Sequence, residues 1–260
     1  MPTPPQRPKH STAIAIFARH PVPGRTKTRL IPLLGRAGAA DLQGALIQDT
    51  SRKVAALTAH SVRLAAYLFL PVQHRWGRQT KSRTSKVYAS PCPPGCTILP
   101  QQGRGLGVRL DDAFRTLLGR HASAVVIGAD SPLLAPRTLH VALRELRVCD
   151  AVLGPCPDGG YYLVGLSGRA RAALGRRGVF AGVRWGTALA FRDTLRNLLA
   201  RGFSCSILEP VADLDRPRDF HRLARQLARD PAARRLAPAT WGFVKTVGIV
   251  SWTAKALPLR

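Results

Sequence analysis

The sequence predicts an α/β fold built in layers on a largely parallel sheet. Short strand-like runs alternate with helix-period stretches from residue 12 to about 225, which is the pattern of strand–crossover–strand units. Two of the runs, Ala13–Ala18 and, apart from Ser123, Ala122–Gly128, are apolar rather than alternating, as strands covered on both faces are. Right-handed crossovers would then bring the ends of the first strand, of the 122–128 strand and of the 204–208 region to one edge of the sheet.

Taken in order, residues 1–11 read as a disordered basic, Pro-rich arm. The Ala13–Ala18 strand breaks into His20-Pro21-Val22-Pro23-Gly24, where two prolines and a glycine forbid helix or ladder. Leu33–Ala59 is expected as one long amphipathic helix, with Leu42, Leu46, Ile47, Val54 and Leu57 at helical spacing. Ser61–Leu70 is a second strand, followed by a polar, basic interval, Pro71–Ser90, read as a mobile insertion loop. Thr97–Leu99 is a short strand feeding Gln102-Gly-Arg-Gly-Leu-Gly-Val-Arg109 and a helix over Leu110–Leu118. After Ala122–Gly128, Pro132 and Pro136 stop the strand and open a helix through Leu146. Asp150–Pro155 and the segment from Tyr161 are strands joined by the tight turn Asp158-Gly159-Gly160. Arg184-Trp185-Gly186-Thr187 precedes a helix to Leu199 with Thr187 as its N-cap; Cys205–Leu208 is the last strand, and a helix starts at Pro217. The organisation expected is an arm over 1–11, one α/β domain over 12–229 and an extension over 230–260, either packed or a surface helix.

Composition narrows the function. The 260 residues carry 40 Lys+Arg against 14 Asp+Glu, a formal charge of +26, with 45% apolar residues. Mean hydropathy is −0.03, which fits a soluble globular chain. Only seven of the cations are lysines, so an arginine-rich coding bias accounts for the excess as well as a nucleic-acid surface does. The cations are scattered and aromatics make up 6%, so no specific nucleic-acid partner is expected, only non-specific association at low salt. No run reaches membrane-span length and no signal-peptide core follows the arm, so the expected compartment is the cytoplasm. Of the five cysteines only Cys92 and Cys96 are close, which suits a disulfide or free thiols better than a zinc site.

The chemistry concentrates at strand ends. Arg25, Lys27 and Arg29 leave the first turn at alternate positions, interleaved with Thr26 and Thr28. Loop amides and cations at the end of a strand make a phosphate cradle, against the plainer reading of a basic surface loop. Gly103 and Gly105, ahead of a helix, either give a second anion-friendly start or serve only the turn into that helix. Carboxylates are scarce, and four fall at strand ends: Asp130, Asp158, Asp213 and Asp215. Asp130 follows a central strand, either at a ligand edge or as a helix cap. Asp213 and Asp215 flank one leucine, either sharing a cation or capping the next helix. A cationic bend facing separated aspartates is what a magnesium-bound polyphosphate requires.

Five ordered motifs carry a family likeness: Phe17-Ala-Arg-His-Pro-Val-Pro-Gly-Arg-Thr-Lys-Thr-Arg-Leu30, Gly128-Ala-Asp-Ser-Pro132, Leu153-Gly-Pro-Cys-Pro-Asp-Gly-Gly-Tyr-Tyr-Leu163, Trp185-Gly-Thr187 and Asp213-Leu-Asp-Arg-Pro-Arg-Asp219. Over roughly residues 12–225 the chain resembles the bacterial glycosyltransferase-A-like family related to phospholactate guanylyltransferase and the molybdenum-cofactor nucleotidyltransferases. The resemblance implies a Rossmann-like three-layer α/β/α sandwich of nucleotide-diphospho-sugar transferase type. It implies that Pro23, Gly24, Arg25, Lys27, Thr28 and Arg29 hold the nucleotide phosphates, with Lys27 the main cation. Asp130, with Asp213 or Asp215, would hold Mg2+ or Mn2+; Asp158, Gly159, Gly160 and Trp185 would line the acceptor side. One departure is that the family's acidic residue ahead of Leu-Gly is missing from Gln102–Gly107. The implied reaction is transfer from a nucleotide-sugar to a small acceptor, in which Lys27 and Asp130 would be catalytic. The alternatives are nucleotidyl transfer from a nucleoside triphosphate to a phosphorylated acceptor, and a non-catalytic basic binding protein on the same scaffold.

Overall fold

The computed structural model describes residues 11–248 except 60, 62, 72–94 and 176–177. Residues 1–10 of the expected 1–11 arm, most of the Pro71–Ser90 interval, Cys92 and the last twelve residues of the extension therefore lie outside the described residues.

A seven-stranded sheet is ordered β3-β2-β1-β4-β6-β5-β7. Its strands are β1 (Thr12–Phe17), β2 (Leu64–Pro71), β3 (Thr97–Gln101), β4 (Ser123–Gly128), β5 (Ala151–Pro155), β6 (Tyr161–Ser167) and β7 (Cys205–Ile207). All pairs are parallel except those of β6, which runs antiparallel to both β4 and β5. A tight turn between β5 and β6 reverses the chain, so no crossover is needed there. Strand β1 sits between β2 and β4, with Ala13 opposite both Ala65 and Ala124. The chain grows the sheet outward from β1 to β3, then returns to β1's other side at β4. Strand order therefore reverses between β1 and β4, and the crevice beyond their carboxyl ends is where open α/β sheets take ligands.

Two apolar layers cover the sheet. Helix α2 (Leu106–Leu118) lies on one face with α4 (Ala190–Leu199), packing Phe114 and Leu198 against Ala15, Val126 and Val164. Helices α1 (Ile31–Ala59) and α3 (Pro136–Glu145) cover the other, with Ile47, Val54 and Leu139 against Ile14, Ile16 and Ile127. A third cluster lies outside α1. There Leu42 and Leu46 meet Phe220 of α5 (Pro217–Arg229), Ala233 of α6 (Pro231–Leu236) and Val244 of α7 (Pro238–Thr246). Helix α1 is thus buried on two sides and not amphipathic as its spacing suggested, because the carboxyl-terminal helices cover the side expected to face solvent. Gly35, at φ 69°, breaks its first turn.

Three boundaries differ from expectation, the first being β2, which starts at Leu64 rather than Ser61. Helix α2 starts at Leu106, four residues before the first apolar position of its stripe, because Gly105 at φ 84° sets the helix start. Thr187 does not cap α4, which begins at Ala190. Its hydroxyl donates to the Arg184 carbonyl at 2.7 Å and accepts from the Leu189 amide at 3.2 Å, closing a local turn instead. Among the described residues no helix is long and apolar enough to cross a membrane.

Candidate functional site

The site starts with the bend after β1. The Arg25 amide bonds the Val22 carbonyl at 3.0 Å, Gly24 takes φ 79°, and Lys27 itself is left-handed at φ 46°, ψ 42°. Lys27 is the one non-glycine residue with positive φ among the described residues. An L-residue in that region costs about 1–2 kcal/mol, and such outliers gather at functional sites. The side chain then turns inward and is 4% exposed. Its ammonium sits 2.7 Å from Asp130 Oδ1 and donates to the Leu214 carbonyl at 2.5 Å. The Leu214 amide in turn donates to the Asp130 carbonyl at 2.8 Å. Segments following β1, β4 and β7 are thereby tied at one point, at the strand-order reversal.

Asp130 caps no helix, since α3 begins at Pro136 behind Ala135. Nor do Asp213 or Asp215 cap α5. Asp219 takes the Arg216 amide at 2.8 Å, leaving both strand-end carboxylates to the site. Asp215 pairs with Arg29. Asp213 is pushed up to about 6, first by burial and then by the negative charges of Asp158 and Asp130; Lys27 opposes the shift and Asp215 adds to it. Asp158 accepts the Gly160 amide at 2.9 Å, which fixes the turn. Gly159, at φ 86°, lets the turn press against Ala188, whose carbonyl oxygen would lie 2.1 Å from an added Cβ.

Cys156, Asp158 and Asp213 place their ligating atoms within 4.8 Å of one another. Burial and the neighbouring aspartates push the Cys156 thiol far above its ordinary range, which disfavours the thiolate in the metal-free protein. The remaining donors are carboxylate oxygens, which suit a hard cation. Asp158 and Asp213 offer oxygen donors within reach of one another, and Asp130 adds its negative charge nearby. The residues therefore fit a divalent cation.

Beside them opens a cleft of about 710 Å³, within the 300–1,000 Å³ range of small-molecule sites. Of the residues singled out from sequence, Lys27, Thr28, Arg29, Gly105, Asp130 and Asp215 line it. Pro23, Gly24 and Arg25 form the outer turn, and Gly103, Asp158, Gly159, Gly160, Trp185 and Asp213 lie off its wall. Trp185 packs edge-on to Tyr161 at 5.9 Å, and its indole nitrogen lies 2.8 Å from where a Cβ at Gly107 would be. Sequence reasoning missed Gln43 and Arg109 on the wall, and Cys156 among the carboxylates. Cys156 lies two residues before Asp158 in the same turn, a signal that could have found it. Gln43 lies within a long helical run that gave none.

In the neighbourhood of this fold stands a solved structure from Desulfovibrio desulfuricans G20, provisionally named a nucleotide-diphospho-sugar transferase. It is 25% identical, with a TM-score of 0.75 over 94% of this chain and 98% of that one. Looser in outline are a CMP:2-keto-3-deoxy-manno-octonic acid synthetase complexed with CTP and a 4-diphosphocytidyl-2C-methyl-D-erythritol synthase from Anaerococcus prevotii DSM 20548. They are 10% and 9% identical, each at TM-score 0.49, over 84% and 81% of this chain and 99% and 95% of theirs. No curated protein matches the sequence significantly. The architecture is that of the nucleotide-diphospho-sugar transferases. Residues 58–187, half of the chain, match the family described as "Uncharacterized protein conserved in bacteria (DUF2064)", and the protein belongs to that family.

Proposed function

We propose that this protein is a transferase that takes a nucleotide-sugar as donor and requires magnesium or manganese. The transferase class rests on the fold shared with the Desulfovibrio chain. The donor rests on one observation: Lys27 and Asp130 meet at 2.7 Å at the strand-order reversal, beside a cleft large enough for a nucleotide-sugar.

Asp130, Asp213 and Asp158 would hold the cation, which when bound supplies positive charge against that growing on the departing diphosphate. The chain's own part is preorganisation. Lys27 is fixed by its backbone and by two acceptors before substrate arrives, so its charge needs no reorganisation during transfer. Arg29, paired with Asp215 at the same wall, adds charge near the phosphates. One such preorganised donor is worth about 3–4 kcal/mol of barrier.

The reading is tested by thermal shift with nucleoside diphosphates, triphosphates and nucleotide-hexoses, each with and without manganese. Manganese-dependent stabilisation by nucleotide-hexoses, lost in Asp130→Asn, is the expected result. Stabilisation by triphosphates alone would move the reading to nucleotidyl transfer. No ligand effect, together with nucleic-acid binding of steep salt slope that survives Asp130→Ala, would replace it with a non-catalytic basic protein.

A further inference from the structure

The turn that joins β5 to β6 sets a sulfur among the acids. The Cys156 amide donates to the Gly160 carbonyl at 2.9 Å and the Gly159 amide to the Cys156 carbonyl at 3.0 Å, which closes the turn around Asp158. The Val211 amide donates to the Pro155 carbonyl at 3.1 Å and lays the segment that carries Asp213 alongside. One sulfur and two carboxylates thereby come within 4.8 Å of one another. Among the described residues this is the one such group of donors; Cys149 and Cys205, the other free thiols described, belong to none. Cys156 is 7% exposed, and its thiol makes no hydrogen bond to any described residue. A small apolar side chain would fill the same core volume; what sulfur adds there is a donor atom. Some point lies within about 2.8 Å of all three donors, against about 2.3 Å for a zinc–sulfur bond and about 2.0–2.2 Å for a zinc–oxygen bond. A small side-chain shift closes the difference, and Asp158, the exposed member, leaves the way in open.

We propose that Cys156, Asp158 and Asp213 form a site for a thiophilic divalent cation of the zinc class, with Cys156 the ligand that separates such a cation from magnesium. Thiolates select zinc and its relatives, whereas magnesium calls for oxygen ligands and keeps several of its waters. Three protein ligands leave the fourth, tetrahedral position of zinc to a water. Binding breaks the S–H bond: the sulfur's electron pair goes to the metal and the proton to solvent. The assignment needs only these three side chains and stands whatever the donor proves to be. Its consequence for turnover does rest on the reading above. Asp158 and Asp213 serve either cation, so zinc bound with Cys156 displaces the magnesium or manganese that transfer requires.

Cadmium is the probe, because a thiolate bound to it absorbs in the ultraviolet. Wild type, Cys156→Ser and Asp213→Asn are titrated with cadmium chloride in buffer free of added thiol, first alone and then with manganese in excess. Wild type should develop the thiolate–cadmium band and Cys156→Ser should lose it. Asp213→Asn keeps the thiol and should need at least about tenfold more cadmium, since removing even a residue behind a metal ligand costs that much. Manganese should push the wild-type titration to higher cadmium. No band in wild type, an equal band in Cys156→Ser, or an unchanged midpoint in Asp213→Asn each overturns the site. A band that is lost in Cys156→Ser but indifferent to manganese leaves this site standing and overturns the placing of the hard cation on Asp158 and Asp213.

Discussion

Replacing Lys27 by alanine and by glycine separates its two roles. Both variants remove the ammonium, leaving the Leu214 carbonyl and Asp130 without it. The lost bond to a buried carbonyl costs about 1–3 kcal/mol. Asp130 is half exposed, so its side of the ion pair adds less than a buried pair would. The backbone term differs between the variants. Alanine keeps the strain of φ 46°, about 1–2 kcal/mol for an L-residue, and glycine releases it. Glycine gives back about 0.4–1 kcal/mol through the greater freedom of its unfolded chain. Lys27→Gly is therefore expected to be more stable than Lys27→Ala by roughly 0.5–1 kcal/mol. Urea unfolding followed by circular dichroism reads this as a higher midpoint at equal slope. Turnover with a nucleotide-sugar should fall in both by a factor on the order of 10²–10³. An alanine variant as stable as the glycine one would refute the claim that the bend is strained.

Two further predictions concern the buried groups behind the site. Burial brings Lys53 down to about 8 from its ordinary 10.5, so between those values the unfolded chain holds a proton that the folded one has released. Stability should then rise with pH across that window by up to about 3 kcal/mol relative to Lys53→Met, measured by urea unfolding at pH 7.5, 9 and 10.5. Asp49 accepts the Ala239 amide at 2.8 Å, the Thr240 amide at 2.9 Å and the Thr240 hydroxyl at 2.7 Å. Asp49→Ala should cost about 3–5 kcal/mol, as breaking one side of a buried charged network does. Asp49→Asn, which keeps one acceptor, should cost less, and thermal melts rank the two.

Much of the fold was legible because strands covered on both faces announce themselves. Thr12–Phe17 and Ser123–Gly128 fall within one residue of the runs read for them. The start of α2 was not legible, because Gly105 and Gly107 carry no side chain to join an apolar stripe. Gly107 lies under Trp185, a contact visible only in three dimensions. The two-sided burial of α1 was hidden for a related reason: spacing reports one partner surface, and the second is supplied by helices that begin nearly 160 residues later. At the site, the ordered motifs placed Lys27 and Asp130 on one edge, where the structure brings them together. The approach of Asp158 to Asp213 depends on the reversed strand β6 and on the turn packed against Ala188, and no local signal carries it.

The left-handed Lys27 persists because its surroundings fix it from several directions, and one of them reaches far from the cleft. Lys53 lies one turn beyond Asp49 on α1 and donates to the Pro132 carbonyl at 2.5 Å, in the loop that carries Asp130. Asp49 grips the first turn of α7 across 190 residues of chain. Both side chains are buried, and the charge of each offsets the desolvation of the other. An apolar pair could fill the same volume at similar or better stability, so stability alone does not explain two buried charges. What apolar residues would not supply is directional bonding to two backbones, one in the Asp130 loop and one at the start of α7. The carboxyl-terminal helices and the site loop are thus held in register through a single turn of α1. A strained bend can be kept only where its neighbours leave it no room to relax, and here the neighbour opposite Lys27 is itself anchored to the helix behind it.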